Sequence, residues 1–139
     1  LLFQKAGITQ ELPECSSSCN CLGNNDCDLS DNAVILPKEK EGNPETGGKH
    51  IYHQYTIRVK HRDSVMQKLK ERGVGSAVYY PIPMHLQECY TELGYLENDL
   101  PHSVCAANQA LSLPIYPEIT DAQQQFVVDQ LKEILNGYS

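Results

Sequence analysis

Hydrophobic and polar positions follow regular patterns from residue 50 onward, and these patterns predict the first elements of a folded domain. Apolar and polar side chains alternate over residues 51–60, with His53 on the mostly apolar face, which predicts a half-buried β-strand. Apolar residues then recur with helical spacing over residues 63–72, and Gly73 follows where a left-handed C-terminal residue is favoured. Residues 74–80 read as a second strand, which the prolines after it prevent from continuing.

The C-terminal half carries three further helical patterns. A short helix is predicted over residues 86–93 and another over 102–111, while residues 113–117 read as extended. The last helix is the most regular element, because Thr120 and Gln123 form a capping box at its start. Its predicted buried stripe comprises Phe126, Val127, Leu131, Ile134 and Leu135.

The order of these elements is strand, helix, strand, two helices, short strand and helix. It predicts an α/β fold, a small two-layer sandwich in which a sheet of two or three strands has helices on one face. This small domain would occupy residues 50–139. A sheet of this size buries a limited core, so we expect it to pack against a further domain.

The N-terminal third lacks such patterning. Residues 1–12 resemble the end of a preceding helical region. Residues 13–49 form a polar, cysteine-containing insert rich in turn residues, predicted to be flexible with one short strand near residues 33–36. The sequence has neither an initiating methionine nor the features of a signal peptide, and we therefore expect it to have been cut from a longer chain.

Cysteines are concentrated in this insert. Four of the six are Cys15, Cys19, Cys21 and Cys27. Thiolates this close in sequence could share a metal ion, but the paired motifs of zinc sites are missing, and disulfides would need an oxidising compartment. The cluster therefore reads as incidental to a flexible insert, with a metal or redox role and disulfides as the alternatives. Cys89 and Cys105 are expected to be small apolar core residues in helices.

Composition narrows the class of protein. The 139 residues carry a formal net charge of -7, which disfavours nucleic acid as the main partner. Because no run of about 18 apolar residues occurs, neither a membrane-spanning helix nor a membrane partner is predicted. The charge is uneven, since residues 58–72 hold six bases against two acids. That basic segment reads either as a solvated face or as a surface that attracts a phosphorylated substrate.

The sequence contains no nucleophile elbow, phosphate-binding glycine loop or zinc-protease signature. His50 and His53 would face opposite sides of the predicted strand, so they do not predict a metal site. The densest group of binding-type residues lies at 79–87, where two tyrosines, two prolines and a histidine follow a strand end. Tyrosine can stack on a ring and also hydrogen-bond to it, but these residues suit a rigid, packed crossover equally well.

Five segments together resemble the DegT/DnrJ/StrS aminotransferases, in the order in which that family has them. They are HIYHQYTIRV at residues 50–59, RD at 62–63, LKERGVG at 69–75, YYPIPMHLQ at 79–87 and LSLPIYPE at 111–118. The resemblance spans about residues 50–136. The cysteine-bearing segment departs from the family, whose members cross this region with a much shorter linker.

The resemblance implies the C-terminal small domain of a fold type I aminotransferase. Such enzymes use pyridoxal phosphate to transfer an amino group, usually from glutamate, to a keto-sugar attached to a nucleotide. The resemblance also implies a cytoplasmic homodimer that takes part in polysaccharide or related biosynthesis. The Schiff-base lysine and the other cofactor-binding residues would lie in an N-terminal large domain, so we expect this chain alone to bind no cofactor and to be inactive.

By the same resemblance, the loop at residues 79–87 approaches the nucleotide-sugar across the dimer interface. Tyr80 and His85 are the substrate contacts it implies, and Tyr79 and His53 are weaker candidates. His53 could equally be a hydrogen-bonded residue on the buried face of its strand. No residue of the chain is implied to be catalytic, and none to bind a metal. A stand-alone nucleotide-sugar binding or interaction module without catalysis is the alternative.

Overall fold

The computed structural model describes residues 29–37 and 50–138. The predictions for residues 1–12, for the four clustered cysteines and for most of the insert lie outside these residues. The strands are β1 (Val34–Ile35), β2 (Tyr55–Val59) and β3 (Ala110–Leu113), and the α-helices are α1 (Arg62–Glu71), α2 (Pro101–Gln109) and α3 (Asp121–Asn136). Three short 3-10 helices, Met84–Leu86, Glu88–Leu93 and Glu97–Asp99, connect α1 to α2.

The strands form one antiparallel sheet in the order β1-β2-β3. Val34 pairs with Val59 and Ile57 with Leu111, so these side chains lie on the same face. The expected small α/β fold with a short sheet is confirmed, as is the short strand predicted near residues 33–36.

One hydrophobic core lies between this face of the sheet and helices α1 and α3. Its buried side chains are Val34, Tyr55, Ile57, Val59, Val65, Leu69, Val74, Leu111, Leu113, Val127, Val128, Leu131, Ile134 and Leu135. The capping box of α3 is present, since the Thr120 hydroxyl accepts a hydrogen bond from the Gln123 backbone N–H. The expected burial of Phe126 is wrong: its side chain is half-exposed, because Val128 completes the buried stripe instead.

The opposite face of the sheet carries polar side chains and contacts α2. Arg58 donates to Gln109 Oε1 from Nε at 3.0 Å and from Nη2 at 2.6 Å, and its Nη2 lies 2.9 Å from Cys105 Sγ. Cys105 is buried as expected, but it is disulfide-bonded rather than a free apolar core residue. The expected burial of Cys89 is wrong, because it is an exposed free thiol in a 3-10 helix.

Two predicted strands are shorter than expected. The alternating pattern over residues 51–60 forms a strand only from Tyr55, because Tyr52 takes a left-handed conformation with φ of 49° that interrupts the extended chain. Ile51 and His53 are consequently exposed rather than on a buried face. In place of a strand over 74–80 there is a single bridge between Ala77 and Ser112.

The helices between α1 and β3 also differ in part from expectation. The helix predicted over 86–93 is 3-10 in character, and Gly94 follows it with φ of 71°. The helix predicted over 102–111 ends at Gln109, because Ala110 and Leu111 already pair with β2. Tertiary pairing to the sheet therefore outweighs local helical spacing at this end.

A buried arginine ties the first helix to the turn between α2 and β3. Arg62, the first residue of α1, donates from Nη1 to the carbonyl oxygens of Ala107 and Ala110, both at 3.0 Å. Its Nε lies 2.6 Å from the Asp63 carboxylate. The Arg62 side chain is 7% exposed, so it satisfies backbone acceptors in a buried to partly buried setting. These bonds fix where β3 begins.

We predict that Arg62→Met lowers the free energy of unfolding by about 2–4 kcal/mol, because two largely enclosed carbonyl groups lose their donor. Urea unfolding followed by circular dichroism measures this change. Arg72→Met is the matched control, since Arg72 pairs with Glu133 at the surface, where an ion pair contributes at most about 1 kcal/mol. Equal losses in the two variants would contradict the role given to Arg62.

A second tether joins the β1 segment to the end of β2. The Asp31 carboxylate lies 2.8 Å from Lys60 Nζ and 3.2 Å from His61 Nε2. The hydrogen bond from Lys60, with a smaller contribution from His61, holds the pKa of Asp31 below its ordinary value of 3.8. The ionised Asp31 carboxylate therefore stabilises the fold fully above pH 3.8. This stabilisation is lost as the pH falls through the lowered pKa of Asp31 in the folded state.

We predict that Asp31→Asn is slightly less stable than the unaltered chain at pH 7, and that this difference disappears as the pH falls below 4. Urea midpoints measured from pH 7 to pH 2.5 test this. Glu118→Gln, an exposed substitution outside the tether, controls for the loss of a negative charge. A difference between Asp31→Asn and the unaltered chain that persists unchanged at pH 2.5 would argue against the tether.

Candidate functional site

A concave site opens beside β3, and we call it the β3-edge pocket. Its volume is about 480 Å³, and it is lined by residues 53–54, residues 75–77, Tyr79 and residues 112–115. The lining joins three stretches that are far apart in sequence: the segment before β2, the chain after α1, and β3 with its continuation. The lining contains aromatic, hydroxyl, amide and apolar groups and carries no Asp, Glu, Lys or Arg.

The backbone around Gly73 positions one wall of the pocket. Gly73 takes φ of 79° directly after α1, a left-handed conformation that glycine adopts without strain. The chain then turns back, and the Val74 N–H donates to the Leu69 carbonyl at 2.9 Å. This brings Ala77 against β3, where it exchanges two backbone hydrogen bonds with Ser112 at 2.8 and 3.1 Å.

Two serines in the lining have different surroundings. The Ser112 hydroxyl lies 2.9 Å from the Thr56 hydroxyl, so both side chains are satisfied within the sheet. The Ser76 hydroxyl is enclosed and has no hydrogen-bond partner among the described residues. Sequence reasoning missed Ser76. Its only signal was its place directly after the LKERGVG segment, since a lone serine has no recognisable motif.

The pocket brings together two of the four predicted contact residues. His53 and Tyr79 both line it, although 26 positions separate them in sequence. Tyr80 and His85 do not line it. Tyr80 is 72% exposed, whereas His85 is 8% exposed and packs edge-on against Tyr95 with ring centroids 6.4 Å apart. In this arrangement of the loop, the Tyr80 side chain is open to an approaching ligand, whereas the His85 side chain is largely enclosed.

The lining of the β3-edge pocket does not fit a pyridoxal phosphate site. That cofactor needs a lysine and a carboxylate partner for its ring nitrogen, and the β3-edge pocket offers neither. Two lysines outside the pocket have other contacts: Lys60 pairs with Asp31, and Lys68 lies 3.9 Å above the ring of Tyr138. Within residues 29–37 and 50–138, no group of three or more side chains could hold a metal ion.

The 3-10 segment and its flanks, residues 80–100, carry many exposed apolar side chains, which we call the apolar surface. They are Tyr80, Ile82, Met84, Tyr90, Leu93, Tyr95, Leu96 and Leu100. Exposed apolar side chains in this number on a small domain are typical of an interaction surface. None of the helices in the described part of the chain is long and apolar enough to cross a membrane.

Comparison with known proteins identifies the family to which this chain is similar. A model of the DegT/DnrJ/EryC1/StrS aminotransferase family matches residues 28–132. A pleiotropic regulatory protein of Geobacillus stearothermophilus is 44% identical over 106 residues, which are 76% of this chain and 27% of that protein. Two transaminases are also similar. The UDP-N-acetyl-3-dehydro-α-D-glucosamine 3-aminotransferase of Acidithiobacillus ferrooxidans is 34% identical, covering 66% of this chain and 24% of that enzyme. The dTDP-3-amino-3,4,6-trideoxy-α-D-glucose transaminase of Streptomyces venezuelae is 35% identical, covering 60% and 22%.

Solved structures agree with this relationship. DesV of S. venezuelae superposes with a TM-score of 0.66 at 30% identity, over 73% of this chain and 26% of that one. NtdA of Bacillus subtilis, with bound cofactor PMP, superposes with a TM-score of 0.61 at 32% identity, over 74% and 23%. The chain therefore spans about a quarter of the length of the curated relatives it matches.

The pocket wall supplies a stability test with a matched pair of glycines. We predict that Gly73→Ala lowers the free energy of unfolding by about 1–2 kcal/mol, because alanine is strained at φ of 79°. Gly75→Ala should change it by less than about 0.5 kcal/mol, since a methyl group there meets nothing within 4 Å and the backbone is not left-handed. Thermal unfolding of both variants measures the difference. A cost at Gly75 as large as that at Gly73 would contradict this account of the turn.

Proposed function

Because the chain belongs to the DegT/DnrJ/EryC1/StrS aminotransferase family, we propose that it is the C-terminal small domain of a pyridoxal-phosphate-dependent nucleotide-sugar aminotransferase. Its part in the reaction is to bind and orient the substrate rather than to perform the chemistry. The observation that carries this proposal is the meeting of His53 and Tyr79 in one pocket whose lining has no Asp, Glu, Lys or Arg.

The substrate class follows from the named relatives. Both transaminases described above act on sugars attached to pyrimidine nucleotides, one UDP and the other dTDP. We propose the same class of substrate here, with glutamate as the amino donor. The cofactor, when bound, supplies the electron sink for amino transfer, and the proposal assigns its lysine to a large domain. The apolar surface would pack against that domain within a cytoplasmic homodimer.

Each predicted contact residue receives a role from its place in the fold. Tyr79 and His53 offer flat rings at the pocket wall, against which a substrate ring can stack. Tyr80 presents its hydroxyl to whatever approaches the loop, since most of its side chain is exposed. His85 is largely enclosed and packs against Tyr95, so we assign it a contact role only in a loop that rearranges on substrate binding.

A chimaeric enzyme tests the proposal. Residues 28–139 replace the segment of the S. venezuelae transaminase with which this chain aligns, so that the host supplies the cofactor-binding part. We predict that the chimaera aminates a pyrimidine-nucleotide keto-sugar, as measured by mass spectrometry of the product. In the chimaera, Tyr79→Leu should raise KM by roughly 10-fold, the loss expected when an aromatic stacking contact is removed.

The control variant is Tyr116→Leu, which removes an exposed tyrosine that does not line the pocket and should leave KM unchanged. A chimaera that folds, holds the cofactor and aminates no nucleotide-sugar would contradict the proposed function. A Tyr79→Leu enzyme with unchanged KM would instead remove the substrate-contact role of that residue.

A second candidate function rests on the similarity to a pleiotropic regulatory protein. Under this alternative the chain is a nucleotide-sugar binding or interaction module that works without catalysis. Isothermal titration of the chain with UDP- and dTDP-sugars separates the two. Micromolar binding of the complete nucleotide-sugar by the chain alone would favour the module. Binding that is no tighter than millimolar in the chain alone, and becomes micromolar only in the chimaera, favours the small-domain role.

A further inference from the structure

Resting on the function proposed above, we propose that the β3-edge pocket binds the uncharged pyrimidine nucleoside part of the substrate and that Ser76 recognises the base. A nucleotide-sugar offers three chemically distinct parts: a base, a diphosphate and a sugar. The pocket and its surroundings favour one of them.

The absence of charge in the lining disfavours the diphosphate. Phosphate groups are held by arginine or lysine side chains or by clustered backbone N–H groups, and the lining contains neither basic residue type. Nearby arginines already have protein acceptors: Arg58 donates to Gln109, and Arg62 donates to the backbone before β3. The diphosphate would therefore lie outside this pocket.

The walls of the pocket suit a flat, weakly polar ring. Tyr79 and His53 contribute rings, and Pro114 and Ile115 contribute apolar surface. Such a lining stabilises a heteroaromatic base by burial and stacking. The volume of about 480 Å³ is within the usual range for small-molecule sites.

Ser76 supplies the hydrogen-bonding group that a base requires. A pyrimidine presents carbonyl acceptors and a ring N–H on one edge, and a serine hydroxyl can both donate and accept. The Ser76 hydroxyl is enclosed and unpartnered among the described residues, a state that costs free energy until a partner is found. Rotation about one side-chain bond moves this oxygen among its staggered positions, so a ligand in the pocket can provide that partner. Ser112 cannot substitute, because Thr56 already engages its hydroxyl.

The test uses the 139-residue chain labelled with nitrogen-15 and three separate probes: uridine, inorganic pyrophosphate and N-acetylglucosamine. We predict that uridine shifts the amide resonances of residues 75–77, of Leu113 and of Ile115, and that the other two probes do not. Ser76→Ala should weaken uridine binding by about 3- to 10-fold, the effect of one neutral hydrogen bond. Ser103→Ala, an exposed serine on α2, should leave it unchanged. Gln54→Ala provides a second pocket variant in case Ser76→Ala unfolds, and it should also weaken binding.

Three results would overturn the proposal. They are shifts at these residues from N-acetylglucosamine alone, shifts from pyrophosphate alone, and no shift from uridine at millimolar concentration. Amination by the chimaera is measured separately. If the chimaera is active but uridine shifts no pocket resonance, only this inference is contradicted. Uridine binding in the pocket with an inactive chimaera removes only the proposed function.

Discussion

The hydrogen bonds from Arg62 to the Ala107 and Ala110 carbonyls are the interaction on which the site depends most. They join the start of α1 to the turn at which α2 gives way to β3. Because β3 pairs with β2 from Ala110 onward, that turn sets the register of the sheet edge. The same edge carries residues 112–115, which line the pocket. The buried Arg62 side chain thus links the packing of α1 to the position of residues 112–115 in the pocket wall.

The residues that form the core and the residues that line the pocket lie mostly on different parts of the fold. Side chains on one face of the sheet, such as Ile57 and Leu111, are fully buried and form the core with α1 and α3. The groups that line the pocket lie at the edge, where the backbone leaves regular pairing after the bridge between Ala77 and Ser112. Loops that leave a rigid sheet can vary without loss of the fold, which is consistent with a family whose members aminate different sugars.

Sequence patterns predicted the parts of the fold that depend on local periodicity. The helices starting near residues 62 and 121 follow from apolar spacing and a capping box, and both are present. The patterns failed where tertiary contacts decide the outcome. Tyr52 breaks an alternating run, and the segment before Pro81 forms one bridge instead of a strand. The family resemblance predicted His53 and Tyr79 as substrate contacts, a role that stays a prediction, and the structure shows only that both line one pocket. Their common pocket with Ser76 depends on how three distant segments meet, which no single segment encodes.

Hydrogen–deuterium exchange on the chimaeric enzyme, with and without its nucleotide-sugar, tests the central claim most directly. The account predicts slower exchange on substrate binding at residues 53–54, 75–79 and 112–115, because the substrate covers the β3-edge pocket. Protection confined to the host part of the enzyme, with these three segments unchanged, would contradict the claim that this domain contacts the substrate.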